Sequence, residues 1–267
     1  MISTYEATPG VDVLTTNFPV PGFGLVPINA FVLHGAEPIL VDTGTVVQAD
    51  EFMAALRTVI DPSELRYIWL THTDFDHIGS LHTLLAENPG LTVITTFLGV
   101  GLMGLTAPLP MDRVHLVNPG QSLALGDRTL TAFVPPVFDN SVTTGFYDDT
   151  SGALFSADCF GALLAEVPER AEQLPAETLQ QSQAFWVMAD SPWLAKVDAT
   201  MFAKDLDALR AFEPAHVLSS HLPAADGASL DRMLGTLDAA RAGSPFVGPD
   251  QAALEQMLAS MGAPGTQ

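Results

Sequence analysis

The feature that most constrains this chain is a cluster of histidines and aspartates directly after an apolar segment. Tyr67-Ile68-Trp69-Leu70 is typical of a buried strand, and polar residues follow it at once. The candidate metal ligands among them are His72, Asp74, Asp76 and His77. Alternation along an extended segment puts the first three on one side, and a turn into a helix can bring the fourth to them. Imidazole and carboxylate together suit zinc, iron or manganese better than calcium, so the sequence predicts a transition-metal site at the end of a strand.

The same stretch resembles the His-x-His-x-Asp-His signature of the metallo-β-lactamase fold, with Asp74 where the second histidine stands. An acidic residue at that position is similar to the flavodiiron branch and its oxygen-binding diiron protein (ODP) relatives, in which the fold holds two irons. The resemblance implies an α/β chain folded as a metallo-β-lactamase-like four-layer α/β/β/α sandwich. We expect residues 1–267 to form one such domain, with no flavodoxin domain after it.

Two later segments extend the resemblance. Ala153-Leu154-Phe155-Ser156-Ala157-Asp158-Cys159-Phe160-Gly161 is similar to the flavodiiron segment whose carboxylate bridges the two metals, which by position is Asp158. Val217-Leu218-Ser219-Ser220-His221 resembles the segment that carries the last ligand, His221 here. Asp42 follows another apolar run; it is either the aspartate that the family places behind the metals or a simple turn residue.

The resemblance implies two unequal metal positions. The second position has a complete set, which is Asp76, His77, His221 and the bridging Asp158. The first position has His72, Asp74 and the same bridge. Val137 stands where the family has a further histidine, and an aliphatic side chain cannot bind a metal. The first position is therefore expected to bind weakly, to use extra water or to recruit Asp139, the last being least favoured because a turn aspartate usually bonds its own backbone.

By resemblance, the expected function is binding or reduction of dioxygen or nitric oxide at one or two irons. The protein would be an oxidoreductase that needs an external electron donor, or an oxygen sensor. A zinc hydrolase of the same fold, acting on a lactone, thioester or β-lactam, is the alternative, and imidazoles missing at positions 74 and 137 disfavour it. A structural or regulatory protein with a degenerate site also stays open.

The net charge and the cysteine content limit which binding partners and redox centres are expected. The formal net charge is −21 and the sequence pI is about 4.3, so nucleic acid and membrane surfaces are not expected partners. Cys159 is the sole cysteine, which leaves no set for an iron–sulfur or rubredoxin-type site and fits a reducing cytoplasm. No signal peptide or membrane-length apolar run is evident, so we expect a cytoplasmic protein. A monomer and a homodimer both stay open.

Strand and helix signals alternate along the chain, which favours stacked α and β layers. A Gly-x-Gly-x-x-Gly match at residues 99–104 is followed at once by prolines, so we interpret it as a small-residue helix packed on a sheet. Residues 162–212 carry helix formers, and two surface helices are predicted near the end of the chain. Other expected elements are a helix capped by Asp50, a helix at Ser80–Glu87, a strand at Leu91–Thr96 and a hairpin that joins Ser122–Leu125 to Arg128–Val134.

Overall fold

Two β-sheets form the centre of the computed structural model, which describes residues 1–262. The first sheet has its strands in chain order: β1 (Ser3–Thr8), β2 (Val11–Val20), β3 (Gly24–Leu33), β4 (Ile39–Val41), β5 (Tyr67–Trp69), β6 (Thr92–Thr95) and β7 (Val114–Leu116). The second also follows chain order: β8 (Ser122–Leu125), β9 (Arg128–Phe133), β10 (Gly145–Asp148), β11 (Ala153–Phe155), β12 (His216–Leu218) and β13 (Ala225–Asp226). The helices are α1 (Ala49–Val59), α2 (Leu81–Glu87), α3 (Phe97–Thr106), α4 (Ala176–Asp190), α5 (Ala199–Arg210), α6 (Leu230–Arg241) and α7 (Gln251–Gly262).

Apolar side chains fill the space between the sheets and cover both outer faces. Between the sheets, the Phe31 and Phe155 rings lie 5.3 Å apart, and the Trp69 and Phe146 rings lie 4.5 Å apart. Helices α1, α2 and α3 pack on the outer face of the first sheet. Helices α4, α5 and α6 pack on the outer face of the second. This α/β/β/α sandwich confirms the predicted fold class. Among the described residues, no helix has the length and apolar character needed to span a bilayer.

Strand direction brings the predicted ligands to one edge of the sandwich. Strands β4, β5 and β6 are parallel, and so are β11 and β12, so the loops that follow them leave each sheet at its carboxyl edge. Hydrogen bonds join the two edges. The Thr144 N–H donates to the Thr71 carbonyl at 2.8 Å, and the Asn29 N–H donates to the Ser220 carbonyl at 2.9 Å. The loops of both sheets are thereby held against each other.

Most of the predicted elements are present. The hairpin from β8 to β9, the strand β6 and the helix α2 lie where they were expected, within a residue or two at each end. Gly99 of α3 does pack closely, since a Cβ there would lie 2.4 Å from the Thr95 Oγ1, whereas Gly101 and Gly104 have no such neighbour within 4 Å. The expected close packing therefore involves only the first glycine of the motif.

Several local predictions were wrong. Helix α1 begins after Gln48, so Asp50 lies in its first turn and does not cap it. Residues 162–175 contain bends, bridges and a short 3-10 helix, not an α-helix. By contrast, the two predicted surface helices are present as α6 and α7, and α6 buries Met233, Leu234 and Leu237 in the layer it shares with α4 and α5. Strands β1, at the sheet edge, and β2, beside it, were not predicted, because they carry mixed polar and apolar residues.

A glycine fixes the loop after β5 against the end of β4. The Gly79 N–H donates to the Gly44 carbonyl at 2.7 Å, and the Thr43 N–H donates to the His77 carbonyl at 2.7 Å. A Cβ at Gly79 would lie 2.3 Å from the carbonyl carbon of Thr45. Only glycine allows this approach, which sets the distance between the two loops.

We expect Gly79→Ala to lower the free energy of unfolding by about 1–3 kcal/mol, because the added methyl must displace backbone. Gly101→Ala is the matched control. It adds the same methyl inside α3 with no neighbour within 4 Å, and it is expected to stabilise by about 0.5–1 kcal/mol. Urea denaturation of the metal-free protein measures both. Equal effects of the two substitutions would contradict the packing argument.

Candidate metal centre

A buried aspartate at the end of β4, Asp42, orients the imidazole of His77. Asp42 adopts a positive φ of 57°, which turns its carboxylate toward the loop after β5. One oxygen accepts the Thr71 N–H at 2.8 Å, and the other accepts both the Thr71 hydroxyl at 2.7 Å and the His77 Nδ1–H at 2.8 Å. Asp42 is therefore more than a turn residue: it fixes the His77 ring so that Nε2 faces the centre.

The other two imidazoles are also held from behind. His221 donates from Nδ1 to the Pro27 carbonyl at 2.8 Å, and His72 Nδ1 lies 2.9 Å from the Thr71 hydroxyl oxygen. Since that hydroxyl already gives its proton to Asp42, it can only accept from His72. All three rings thus carry a proton on Nδ1 and turn Nε2 toward a common point.

Asp158 lies at that point. It occupies a tight turn in which Ala157 and Phe160 both have positive φ, at 50° and 72°. The nearest carboxylate oxygens lie 3.3 Å from the Nε2 of His221, 3.4 Å from that of His77 and 3.5 Å from that of His72. The residue is only 4% exposed. One carboxylate therefore faces three imidazoles in a water-poor space.

Three of the converging atoms have no hydrogen-bond partner. They are His72 Nε2, His77 Nε2 and Asp158 Oδ1, and all three are buried. Burying such groups without a partner is costly. Two donors that bind one cation at about 2.0–2.2 Å each lie no more than about 4.4 Å apart, which the nitrogen–oxygen distances here satisfy. The donor set therefore fits a bound transition metal.

The six predicted ligands fall into three groups of neighbouring donor atoms, and the group of His72, His77 and Asp158 shares one histidine with each of the other two. In the second position, donor atoms of Asp76, His77 and His221 lie within 4.8 Å of one another. In the first position, the same holds for His72, Asp74 and Asp139. The prediction ranked Asp139 last, on the argument that it would bond its own turn. Asn140 makes that bond instead, accepting the Val142 N–H at 3.2 Å, so Asp139 is free to face the site.

Burial and neighbouring charges raise the pKa of some residues of the site and lower that of others. Burial lowers the pKa of His221, but the carboxylates of Asp158 and Asp76 outweigh burial and raise it to about 9. Burial and the neighbouring His77 lower the pKa of His72. Burial, followed by the negative charge of Asp158, raises the pKa of Asp139 to about 8. The metal-free site therefore holds protons at positions where a cation would displace them.

Sequence reasoning missed two residues of α4 that border the site. The Trp186 ring packs against the His221 ring with centroids 4.9 Å apart. Asp190, the last residue of the helix, has a carboxylate oxygen within 4.8 Å of those of Asp139 and Asp158. Burial and the charge of Asp158 raise its pKa to about 7. Neither residue lies in a ligand-type spacing, so no sequence signal marked them.

Two facing sheets covered by helices, with histidines and aspartates gathered at one edge, define a metallo-β-lactamase-like fold with a metal-binding cluster. A family model described as "ODP family beta lactamase" matches residues 26–204. The chain belongs to this family.

Curated relatives match over part of their length. Rubredoxin-oxygen oxidoreductase of Megalodesulfovibrio gigas is 28% identical over 167 residues, which are 60% of this chain and 41% of the relative. A type A flavoprotein of Rhodobacter capsulatus is 31% identical over 137 residues, which are 50% of this chain and 32% of the relative. The chain thus spans less than half the length of these relatives.

Solved structures show the same fold. A mutant flavo di-iron protein from Thermotoga maritima superposes with a TM-score of 0.79 at 21% identity, covering 93% of this chain and 64% of that one. Rubredoxin oxygen:oxidoreductase from Desulfovibrio gigas gives a TM-score of 0.77 at 18% identity, covering 89% and 61%. At these identities the likeness establishes the fold.

In the metal-free protein, we expect the free energy of unfolding to fall as the pH rises from 6.5 to about 9. Folded His221 keeps its proton up to a pKa of about 9, whereas the unfolded residue loses it near the ordinary value of 6.5. The folded state binds more protons in this window, so stability is lost as pH rises. Asp139 has a pKa raised to about 8, so the folded protein also holds more protons at this residue than the unfolded chain does, and its contribution to stability likewise falls as the pH rises to about 8.

Urea denaturation in the presence of a chelator, at several pH values across this window, measures the slope. His221→Gln is the control, since it removes one of the titrating groups and is expected to flatten the dependence. A wild-type stability that stays constant or increases toward pH 9 would contradict the assignment.

Proposed function

We propose that this protein is a non-haem iron protein that binds dioxygen or nitric oxide at a two-metal centre and reduces it when a donor supplies electrons. The observation that carries the proposal is the convergence of unpartnered, buried donor atoms from His72, His77 and Asp158. The names of relatives support it, since one is called a rubredoxin-oxygen oxidoreductase and others are called flavo di-iron proteins.

The proposed ligand roles follow from the two groups of donors. Asp76, His77 and His221 would hold the second metal, and His72 and Asp74 would hold the first. Asp158 would serve both, because its carboxylate lies within 3.5 Å of the Nε2 of His72 and also within 3.4 Å of the Nε2 of His77 and 3.3 Å of that of His221. When bound, a pair of irons supplies adjacent redox centres for a diatomic gas. The residues behind the ligands keep the rings in place and exclude water from the buried side.

Iron is favoured over zinc by the type of donor. Anionic oxygen ligands stabilise the ferric state, and Asp74 places a carboxylate where hydrolytic relatives of the fold carry an imidazole. The Asn140 side chain donates to Asp74 at 2.7 Å, which holds that carboxylate toward the site. The family match also fits the diiron proposal and not the zinc hydrolase. We therefore do not carry the hydrolase forward.

Electrons would come from a partner outside the described residues. The sole cysteine, Cys159, is fully buried, and burial raises its pKa well above its usual range, so it offers no thiolate for a redox centre. A net charge of −21 favours a donor with a basic docking surface. Where electrons are scarce, the same centre would act as a gas sensor.

Metal content and gas reactivity test this proposal together. Protein loaded anaerobically with Fe²⁺ is expected to consume dioxygen when a chemical reductant is present and to develop visible absorption on exposure to air. Protein loaded with Zn²⁺ is the control and is expected to do neither. An iron-loaded protein that stays colourless in air and consumes no dioxygen above the zinc control would refute the proposal.

We further expect Asp158→Ala to lose more metal than Asp74→Ala, because Asp158 serves both positions and Asp74 only one. Metal retained after dialysis, measured by mass spectrometry of the elements, gives the comparison. Asp112→Ala removes an exposed aspartate outside the ligand set and is expected to retain the wild-type amount. A greater loss from the Asp74 variant than from the Asp158 variant would overturn the assignment of the bridge.

A further inference from the structure

The first metal position needs a donor that the family pattern does not supply. By resemblance to the family pattern, Val137 stands where a histidine is expected, and it is 2% exposed within an apolar cluster that includes Cys159 and Phe160. Yet the fully buried His72 still directs an unpartnered Nε2 into this position. A nitrogen placed in this way points to a cation that more than one neighbouring group must hold.

Asp139 lies where such a donor is needed. Its Oδ1 lies 4.0 Å from the Nε2 of His72. Donor atoms of His72, Asp74 and Asp139 all lie within 4.8 Å of one another. The Asp139 side chain is 22% exposed, so it faces the opening of the site while Asp158 closes the buried side.

The loop that carries Asp139 is held in this position from both sides. The Trp193 indole donates to the Phe138 carbonyl at 2.8 Å, and the two rings pack with centroids 4.8 Å apart. Asn140 makes the turn bond to Val142 and also donates to Asp74 at 2.7 Å. With its neighbours anchored, the Asp139 carboxylate is directed to the site and is not consumed by its own backbone.

We propose that Asp139 is the third terminal ligand of the first metal position and replaces the histidine that Val137 cannot provide. This inference rests on the proposed two-metal function. It also makes the centre asymmetric: the first position has one imidazole and three carboxylates, counting the shared Asp158. The second has two imidazoles and two carboxylates, counting the same bridge.

The difference in donors gives the two positions different metal preferences. Carboxylate oxygens suit harder cations such as Mn²⁺, while imidazole suits Zn²⁺ and Fe²⁺. The first position is therefore the one that accepts Mn²⁺ when a softer ion occupies the second. An active centre of this kind can hold two different metals.

Asp190 provides the control that separates a ligand from a nearby charge. It belongs to the same acidic cluster, with an oxygen within 4.8 Å of those of Asp139 and Asp158, but it is contributed by the end of α4. Asp139→Asn and Asp190→Asn remove the same charge and keep the same shape. Only the first replaces the carboxylate that lies beside His72 with a neutral amide, which is a weaker metal donor.

The experiment titrates metal-free full-length protein with Mn²⁺ alone. Free Mn²⁺ is followed by its electron paramagnetic resonance signal, and circular dichroism checks that each variant is folded. Wild type and Asp190→Asn are expected to bind two ions. Asp139→Asn is expected to keep one and to weaken the other by more than the roughly 10–100-fold that loss of an outer-shell contact costs. Asp139→Ala is expected to match it, and Asp139→Glu, which keeps a carboxylate, to retain two ions.

A second titration adds one equivalent of Zn²⁺ before the Mn²⁺. Wild type is expected to bind one Mn²⁺ beside the zinc, and Asp139→Asn to lose it. If His221→Ala lost the Mn²⁺ and Asp139→Asn kept it, the Mn²⁺ would bind at the second position. That outcome would overturn the inference.

The other outcomes of the Mn²⁺ titration test either the role of Asp139 or the proposed function. Two ions bound equally tightly by wild type and by Asp139→Asn, or an equal weakening in Asp139→Asn and Asp190→Asn, would show that Asp139 is not a ligand. A wild type that binds a single ion would overturn the inference while leaving a one-metal form of the proposed function. A wild type that binds neither Mn²⁺ nor Fe²⁺ would refute the proposed function itself.

Discussion

The structure depends on a carboxylate buried among three imidazoles. A charged group that is 4% exposed is stable only where cations or donors surround it. Burial raises the pKa of Asp158, but His221, His72 and His77 outweigh burial and hold it well below its usual range. The carboxylate therefore stays ionised and attracts either protons on these rings or a metal between them. Each ring must in turn be placed by the fold.

Placement of the rings comes from the way the two sheets meet. The first sheet delivers His72 and His77 from the loop after β5, and the second delivers Asp158 and His221 from the loops after β11 and β12. Behind them, polar groups accept from each Nδ1, so that every ring presents the same nitrogen. Asn29 ties the sheets together, since its side chain donates to the Ser219 and Leu222 carbonyls on either side of the last histidine. Ligands supported in this way bind metal with little rearrangement.

The two halves of the site differ in chemistry because they differ in what surrounds them. The second position has two imidazoles, and the Trp186 ring packs against one of them, His221. The first position opens toward a loop that carries Asp139, with Asp190 beyond it. The proposed metal selectivity follows from this difference in donors.

The sequence by itself determined what short-range geometry controls. The sequence placed His72, Asp74, Asp76 and His77 together in one short stretch after β5, and motif resemblance added the two candidate ligands that follow β11 and β12. The expected strand alternation was wrong, because this stretch is a turn in which the His77 N–H donates to the Asp74 carbonyl at 3.0 Å. Tertiary structure decided the rest. The Asp139 carboxylate faces the site because Asn140, and not Asp139, accepts the hydrogen bond of the turn. The two residues are adjacent in the sequence, which does not show which of them makes that bond. Asp190 reaches the site only because α4 packs across the second sheet. Local spacing is fixed by bond geometry, but contacts between distant segments exist only once the layers have packed.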